Sequence, residues 1–220
     1  MEPRHERVAK IALTAGARYG LALAGGYAVQ MHGIGNRLSG DVDLFTTWQH
    51  RDEFRELTSA VVSALTAAGH ATSVVLSGET FARLIVTDPL DGQEVKLELA
   101  ADWRAHDPVR LDVGPVLHPD DAVANKVCAL FGRALPRDFL DVDATLISGR
   151  YTRDQLLELA AAADGGFDPL IFADALGALT QITDAAFAEY GTDPQAITEM
   201  RHRFAEWRRQ LIEKRASDKG

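Results

Sequence analysis

Apolar and polar positions follow two different periods along this chain, and the change from one to the other suggests its plan. Residues 3 to 16 read as a first helix, followed by a short strand from Leu21 to Ala24. Residues 51 to 68 have the apolar spacing of an amphipathic helix. Ala71 to Leu76, Ala82 to Thr87 and Glu94 to Leu99 read as strands, with Asp91-Gly92 as the hairpin turn before the last. In that last strand Val95, Leu97 and Leu99 face inward, and Glu94, Lys96 and Glu98 share the other face. From Pro119 onward every segment reads helical. The pattern therefore predicts an α+β chain, with an α/β core over residues 1–115, a boundary at Gly114-Pro115, and an all-helical region over 116–220.

The densest chemistry lies between the first strand and the long helix. Gly25-Gly26-Tyr27-Ala28 turns the chain into a helix whose first amides can face phosphate oxygens. Arg37-Leu38-Ser39-Gly40-Asp41-Val42-Asp43-Leu44-Phe45 follows. Side chains two apart on a strand share a face, so Asp41 and Asp43 project together while Val42 and Leu44 enter the core. Paired carboxylates suit Mg²⁺, a hard cation that keeps waters and shares its shell with substrate phosphates. Glu98, on a strand beside this one, is the candidate third acid. Strand alternation alone also yields such a polar face without any site.

The helical half offers cations. His118 to Arg133 begins with a proline and then acids, as helices do. Val123, Val127, Leu130 and Ala134 form its buried stripe, and Lys126 and Arg133 lie about 20° apart on the stripe's border. A lysine there can reach a phosphate as a point charge or simply cover apolar surface. In Arg137-Asp138-Phe139-Leu140-Asp141-Val142-Asp143, Phe139, Val142 and Leu146 share one face. Arg137 stands four residues before Asp141, the spacing of a surface salt pair, and Asp143 points away from Asp138 and Asp141.

Composition narrows the classes. The chain has 220 residues, 46% hydrophobic, enough for a sizeable core. Its single cysteine, Cys128, excludes an internal disulfide and is expected to pack. No apolar run has the length of a membrane span and the start lacks a signal-peptide core, so a cytoplasmic protein is expected. A net charge of −9 argues against broad nucleic-acid binding. Between Asp154 and Met200 there are nine acids and no lysine or arginine, whereas Arg201, Arg203, Arg208, Arg209, Lys214 and Arg215 crowd the next stretch. These bases suit either an RNA surface or packing against the acidic segment, with Phe204 and Trp207 as anchors.

Together, Gly-Gly-Tyr-Ala, Arg-x-Ser-x-Asp-Val-Asp-Leu-Phe, Lys-x-Glu, and Lys126 followed by the Asp141 of Arg-Asp-Phe-Leu-Asp-Val resemble the AbiEii/MenT nucleotidyltransferase toxins of type IV abortive-infection toxin–antitoxin systems. The resemblance covers roughly residues 20 to 148. It implies a DNA polymerase β-type nucleotidyltransferase fold: a mixed sheet with flanking helices, and a helical C-terminal region that completes the active site. It also implies Mg²⁺-dependent transfer of a pyrimidine nucleotide from CTP or UTP to the 3′ end of tRNA, and a cognate antitoxin. Carried over, Asp41, Asp43 and Glu98 hold the metal and Ser39 lines the nucleotide site. Lys126 and Asp141 are needed for activity, and Gly25, Gly26, Arg37 and Arg137 are nucleotide-site candidates. A Gly-Ser pair in the wider fold is Gly25-Gly26 here, and an aspartate of many relatives is Glu98. Aminoglycoside or lincosamide nucleotidyltransferases, and a non-catalytic binding module, are the alternatives.

Overall fold

The computed structural model describes residues 1–37 and 39–218, the last four of these by backbone alone. Leu38 of the Arg37-to-Phe45 motif and the Arg215 side chain lie outside the described residues. The chain divides into two compact units, Met1–Ala122 and Val123–Gly220.

The first unit contains helices α1 (Pro3–Ala15), α2 (Gly25–Met31) and α3 (Phe54–Ala67). Its strands are β1 (Ala22–Leu23), β2 (Asp41–Thr47), β3 (Ala71–Ser77), β4 (Phe81–Thr87), β5 (Glu94–Asp102), β6 (Val109–Leu111) and β7 (Gly114–Val116). They form one mixed sheet in the order β3-β4-β5-β2-β1-β7-β6. β2 runs parallel to β5 and β1 parallel to β7, and the other neighbours are antiparallel. Val42 and Leu44 of β2, Leu84 and Val86 of β4, and Val95, Leu97 and Leu99 of β5 are wholly buried. The face they make is covered by α1, through Val8, Ala9 and Ala12, and by α3, through Phe54, Leu57, Val61 and Leu65. Each valine, leucine or phenylalanine side chain among them contributes about 1.5–3 kcal/mol when fully buried. Alternation then forces Asp41, Asp43, Lys96 and Glu98 onto the opposite face.

The strands beyond β5 have no counterpart in the sequence reading. β6 and β7 are three residues each, too short for a period of two to register, and Pro115 sits within β7. Gly114-Pro115 is thus part of a strand whose Val116 pairs with Leu23 of β1. At the other end of the sheet, β3 is an edge strand with Val74, Val75 and Leu76 exposed.

A polar link ties α1 to the motif loop. The Tyr27 hydroxyl donates to the Ser39 carbonyl at 3.2 Å, and His5 Nδ1 lies 2.7 Å from the same hydroxyl. The phenol has one proton to give, so His5 supplies the other, as the Nδ1–H tautomer. Burial lowers the His5 pKa below 6.5, outweighing the neighbouring Glu2. The unfolded chain therefore takes up this proton first, and the stability His5 contributes as a neutral ring falls as pH drops through 6.5. Thermal melting of wild type and His5→Gln across this range should show a shallower acid-side decline in the variant.

The second unit is helical. It takes in most of α4 (Pro119–Arg133), then α5 (Pro136–Ile147), α6 (Arg153–Ala163), α7 (Pro169–Gly177), α8 (Asp184–Ala188) and α9 (Pro194–Asp218). Ala134, expected on the buried stripe, instead ends α4 in a left-handed conformation, φ 48°. The two-residue reversal before Pro136 demands this, because Pro136 opens α5. Phe139, Phe172, Phe187, Phe204 and Trp207 fill the core, with Phe139 edge-on to Phe204 at 5.3 Å.

Arg201, Arg203 and Arg208 of α9 are used for packing, whereas Arg209 and Lys214 stay exposed. Arg201 donates to the carbonyls of Leu179 and Ile182 and pairs with Asp184. Arg203 grips Asp143 through two bonds of 2.7 and 2.8 Å, and Arg208 donates to the Ala173 carbonyl. Lys214 lies 3.6 Å from Asp154. Phe204 and Trp207 anchor the helix as expected. Cys128 donates to the Ala160 carbonyl at 3.7 Å. Among the described residues no helix is long and apolar enough to cross a membrane.

Candidate active site

Parallel pairing of β2 with β5 sets Asp43 directly across from Glu98, and Asp41 across from Lys96. Antiparallel pairing of β5 with β4 brings Arg83 opposite Glu98. Asp41, Asp43 and Glu98 each offer a carboxylate oxygen, and the three oxygens lie within 4.8 Å of one another. Three acids this close repel unless cations or hydrogen bonds hold them.

Those partners are present. Lys96 Nζ is 2.7 Å from Asp41 Oδ2 and 3.4 Å from Glu98 Oε1. Arg83 Nε donates to Glu98 Oε1 at 2.9 Å, and Ser39 Oγ donates to Asp41 Oδ1 at 3.0 Å. Partial burial works against the Lys96 ammonium, but the bond to Asp41 and the charges of Asp41 and Glu98 together raise its pKa above the ordinary lysine value. Lys96 belongs to the Lys-x-Glu motif but has no role in the sequence expectations, and Arg83 is absent from them. Lys96 was legible as a neighbour of Glu98 by alternation, whereas Arg83 required the β4–β5 register.

Gly25 fits against this cluster. Its φ is +60°, and a Cβ built there would stand 1.8 Å from Asp43 Oδ2. Both conditions call for glycine. A Cβ on Gly26 would stand 3.0 Å from Ser39 Oγ and 3.2 Å from an Arg37 guanidinium nitrogen. Gly25, Gly26, Arg37, Ser39, Asp41, Asp43 and Glu98 are therefore gathered in one place in the first unit. An all-oxygen donor set of this size fits a hard divalent cation such as Mg²⁺.

The remaining candidates lie in the helical unit. Lys126 Nζ and Asp141 Oδ2 are 2.9 Å apart, and both residues are buried. Arg133 holds the wholly buried Asp138 through two bonds of 2.9 and 2.8 Å. Arg137 is half-buried in the first turn of α5.

A family model described as "Nucleotidyl transferase AbiEii toxin, Type IV TA system" matches residues 11–217. Two solved structures, each 17% identical, share the fold. JHP933 from Helicobacter pylori superposes with a TM-score of 0.59, covering 97% of this chain and 94% of that one. MenT4, a nucleotidyltransferase toxin from Mycobacterium tuberculosis H37Rv, superposes with a TM-score of 0.60, covering 95% of this chain and 83% of that one. No curated protein sequence matches the chain.

Proposed function

As the chain belongs to the AbiEii family of nucleotidyltransferase toxins of type IV toxin–antitoxin systems, we propose that it transfers a pyrimidine nucleotide from CTP or UTP to the 3′ end of tRNA in the cytoplasm, and so blocks translation. The observation that supports metal-dependent nucleotidyl transfer is the carboxylate trio on β2 and β5 with its oxygens within 4.8 Å; the nucleotide and the acceptor are taken from the family resemblance. Asp41, Asp43 and Glu98 would hold Mg²⁺. When bound, that ion supplies neutralisation of the triphosphate and a lower pKa for the attacking hydroxyl. In the reaction the ribose 3′-oxygen forms a bond to the α-phosphorus, the bond to the bridging oxygen breaks, and pyrophosphate leaves. We assign the hydroxyl proton to Glu98. Ser39 bonds Asp41 and Gly25 leaves room for Asp43, and Gly25, Gly26, Arg37, Ser39 and Arg137 are assigned to nucleotide binding. In this reading residues 1–115 are the nucleotidyltransferase core and 116–220 complete its machinery.

The test is incubation of the purified protein with each labelled NTP, Mg²⁺ and total tRNA, beside reactions with an aminoglycoside or a lincosamide. Label from CTP or UTP on RNA 3′ ends is expected. Label on a drug and none on RNA would overturn the acceptor assignment. For the antitoxin, a phosphate on Ser39 would add roughly −1.5 to −2 charges beside Asp41; Ser39 is only 3% exposed and its hydroxyl donates to Asp41, so this route requires the loop to open first.

Lys126 is assigned to a phosphate, with Asp141 holding its ammonium. Lys126→Met should cut turnover by about 10–150-fold, the equivalent of ~1.5–3 kcal/mol for a charged hydrogen bond. It also deprives the buried Asp141 of that ammonium, which destabilises the fold. Replacing both partners by apolar residues is often neutral. The double variant Lys126→Met/Asp141→Leu should therefore recover thermal stability without recovering transfer. Recovery of transfer in the double variant would make Lys126 a structural residue.

A further inference from the structure

A second group of metal-ligating side chains lies apart from the carboxylate trio, where the loop after β5 meets the start of α4. His106, His118 and Asp120 each offer one ligand atom there, all within 4.8 Å of one another. The imidazoles of His106 and His118 stack, with centroids 4.3 Å apart and planes inclined by 23°. His118, just before α4, accepts the Asp120 backbone amide through Nδ1 at 3.3 Å, and the same nitrogen lies 3.7 Å from Asp120 Oδ2.

The arrangement is held by residues outside the group. The carboxylate of the buried Asp121 accepts the backbone amides of Ala105 and His106, at 2.9 and 3.0 Å. It also lies 3.5 Å from His106 Nδ1. A carboxylate behind a histidine fixes the orientation of the ring, the arrangement that accompanies histidine ligands to metals. On the other side of the loop, Arg104 donates to the Gly20 carbonyl at 3.1 Å. His106 is thus carried on a loop tied down at three consecutive residues, Arg104, Ala105 and His106. The three side chains remain partly exposed, which leaves a path for an ion.

We infer that His106, His118 and Asp120 form a second cation site, selective for a first-row transition ion of the Zn²⁺ type over Mg²⁺. The donors decide the class. Two imidazole nitrogens and one carboxylate oxygen suit zinc, cobalt or nickel, whereas magnesium prefers an all-oxygen shell. Three protein ligands leave water to complete a tetrahedron. The inference is independent of the acceptor and nucleotide assigned above, because no residue of this group belongs to the trio.

The experiment is calorimetric titration of the full-length protein with Zn²⁺ in excess Mg²⁺, repeated with Co²⁺ and read by visible absorption. One equivalent of Zn²⁺ should bind in wild type and persist in Asp43→Asn. Removal of a direct ligand should cost at least as much as loss of an outer partner, so His106→Ala and His118→Ala should each weaken binding by roughly 10–100-fold or more. The cobalt spectrum should fade in both, while circular dichroism confirms that they are folded. Wild-type affinity in both histidine variants, or loss of the zinc equivalent in Asp43→Asn alone, would overturn the site. Zinc binding that Mg²⁺ displaces competitively would do so as well.

Discussion

Asp41→Asn and Asp43→Asn should each abolish Mg²⁺-dependent nucleotidyl transfer while leaving the protein folded. Asparagine keeps the shape of the side chain and removes the charge that a divalent cation requires. A bound metal contributes several kcal/mol of charge stabilisation in phosphoryl chemistry. At about 1.4 kcal/mol per factor of ten, a loss of roughly a thousandfold is expected. The fold should tolerate the change because these side chains lie on the face of β2 opposite its apolar core, made by Val42 and Leu44. Asp41→Asn also gives up the ion pair with Lys96, but that ammonium keeps Glu98 Oε1 at 3.4 Å and one charge of a mutually repelling cluster is removed. The check is initial transfer rate beside thermal melting with and without Mg²⁺. Near-normal transfer by either folded variant would falsify the assignment of the trio.

Gly25→Ala should be nearly as damaging, for a reason that involves no charge. The added carbon would stand 1.8 Å from Asp43 Oδ2 and 2.6 Å from Asp43 Cγ, so the carboxylate has to move. The backbone at φ +60° adds a further cost of about 1 kcal/mol for a residue with a Cβ. A displacement of about 1 Å in a catalytic constellation is worth roughly 100-fold in rate. Gly26→Ala is the comparison, with a milder clash: its Cβ would approach Ser39 Oγ, an Arg37 nitrogen and Ser39 Cβ at 3.0, 3.2 and 3.3 Å, and would not touch Asp43. Turnover of Gly25→Ala equal to that of Gly26→Ala would show that the position of Asp43 does not depend on this glycine.

Local patterns carried the reading of the sequence where neighbours in the chain decide the outcome. The alternation around Asp41, Asp43 and Glu98 gave the two strands and the face that their acids share, because a period of two leaves a side chain no choice of side. Partnerships across the fold were less legible. Lys126 meets Asp141 from another helix, fifteen residues on, and His5 meets Tyr27 across 22 positions. Periodicity holds no information about either distance. Arg83 reaches Glu98 only because β4 and β5 pair in one register. β6 and β7 were invisible for a different reason: at three residues each, they owe their existence to the sheet they join and not to their own pattern. The basic stretch of α9 was ambiguous in sequence because carbonyl acceptors, such as those of Leu179, Ile182 and Ala173, leave no trace in composition.

The cations already seated among the three acids make folding and metal loading separable events. In a small zinc domain the ion is the core, and a chelator unfolds the protein. Here Lys96 and Arg83 serve as built-in counterions, so the sheet can close over its acidic face with no metal in solution. A divalent cation held by the trio would then take the place of the Lys96 ammonium at Asp41. Chelation should accordingly stop the chemistry and leave the melting temperature almost where it was.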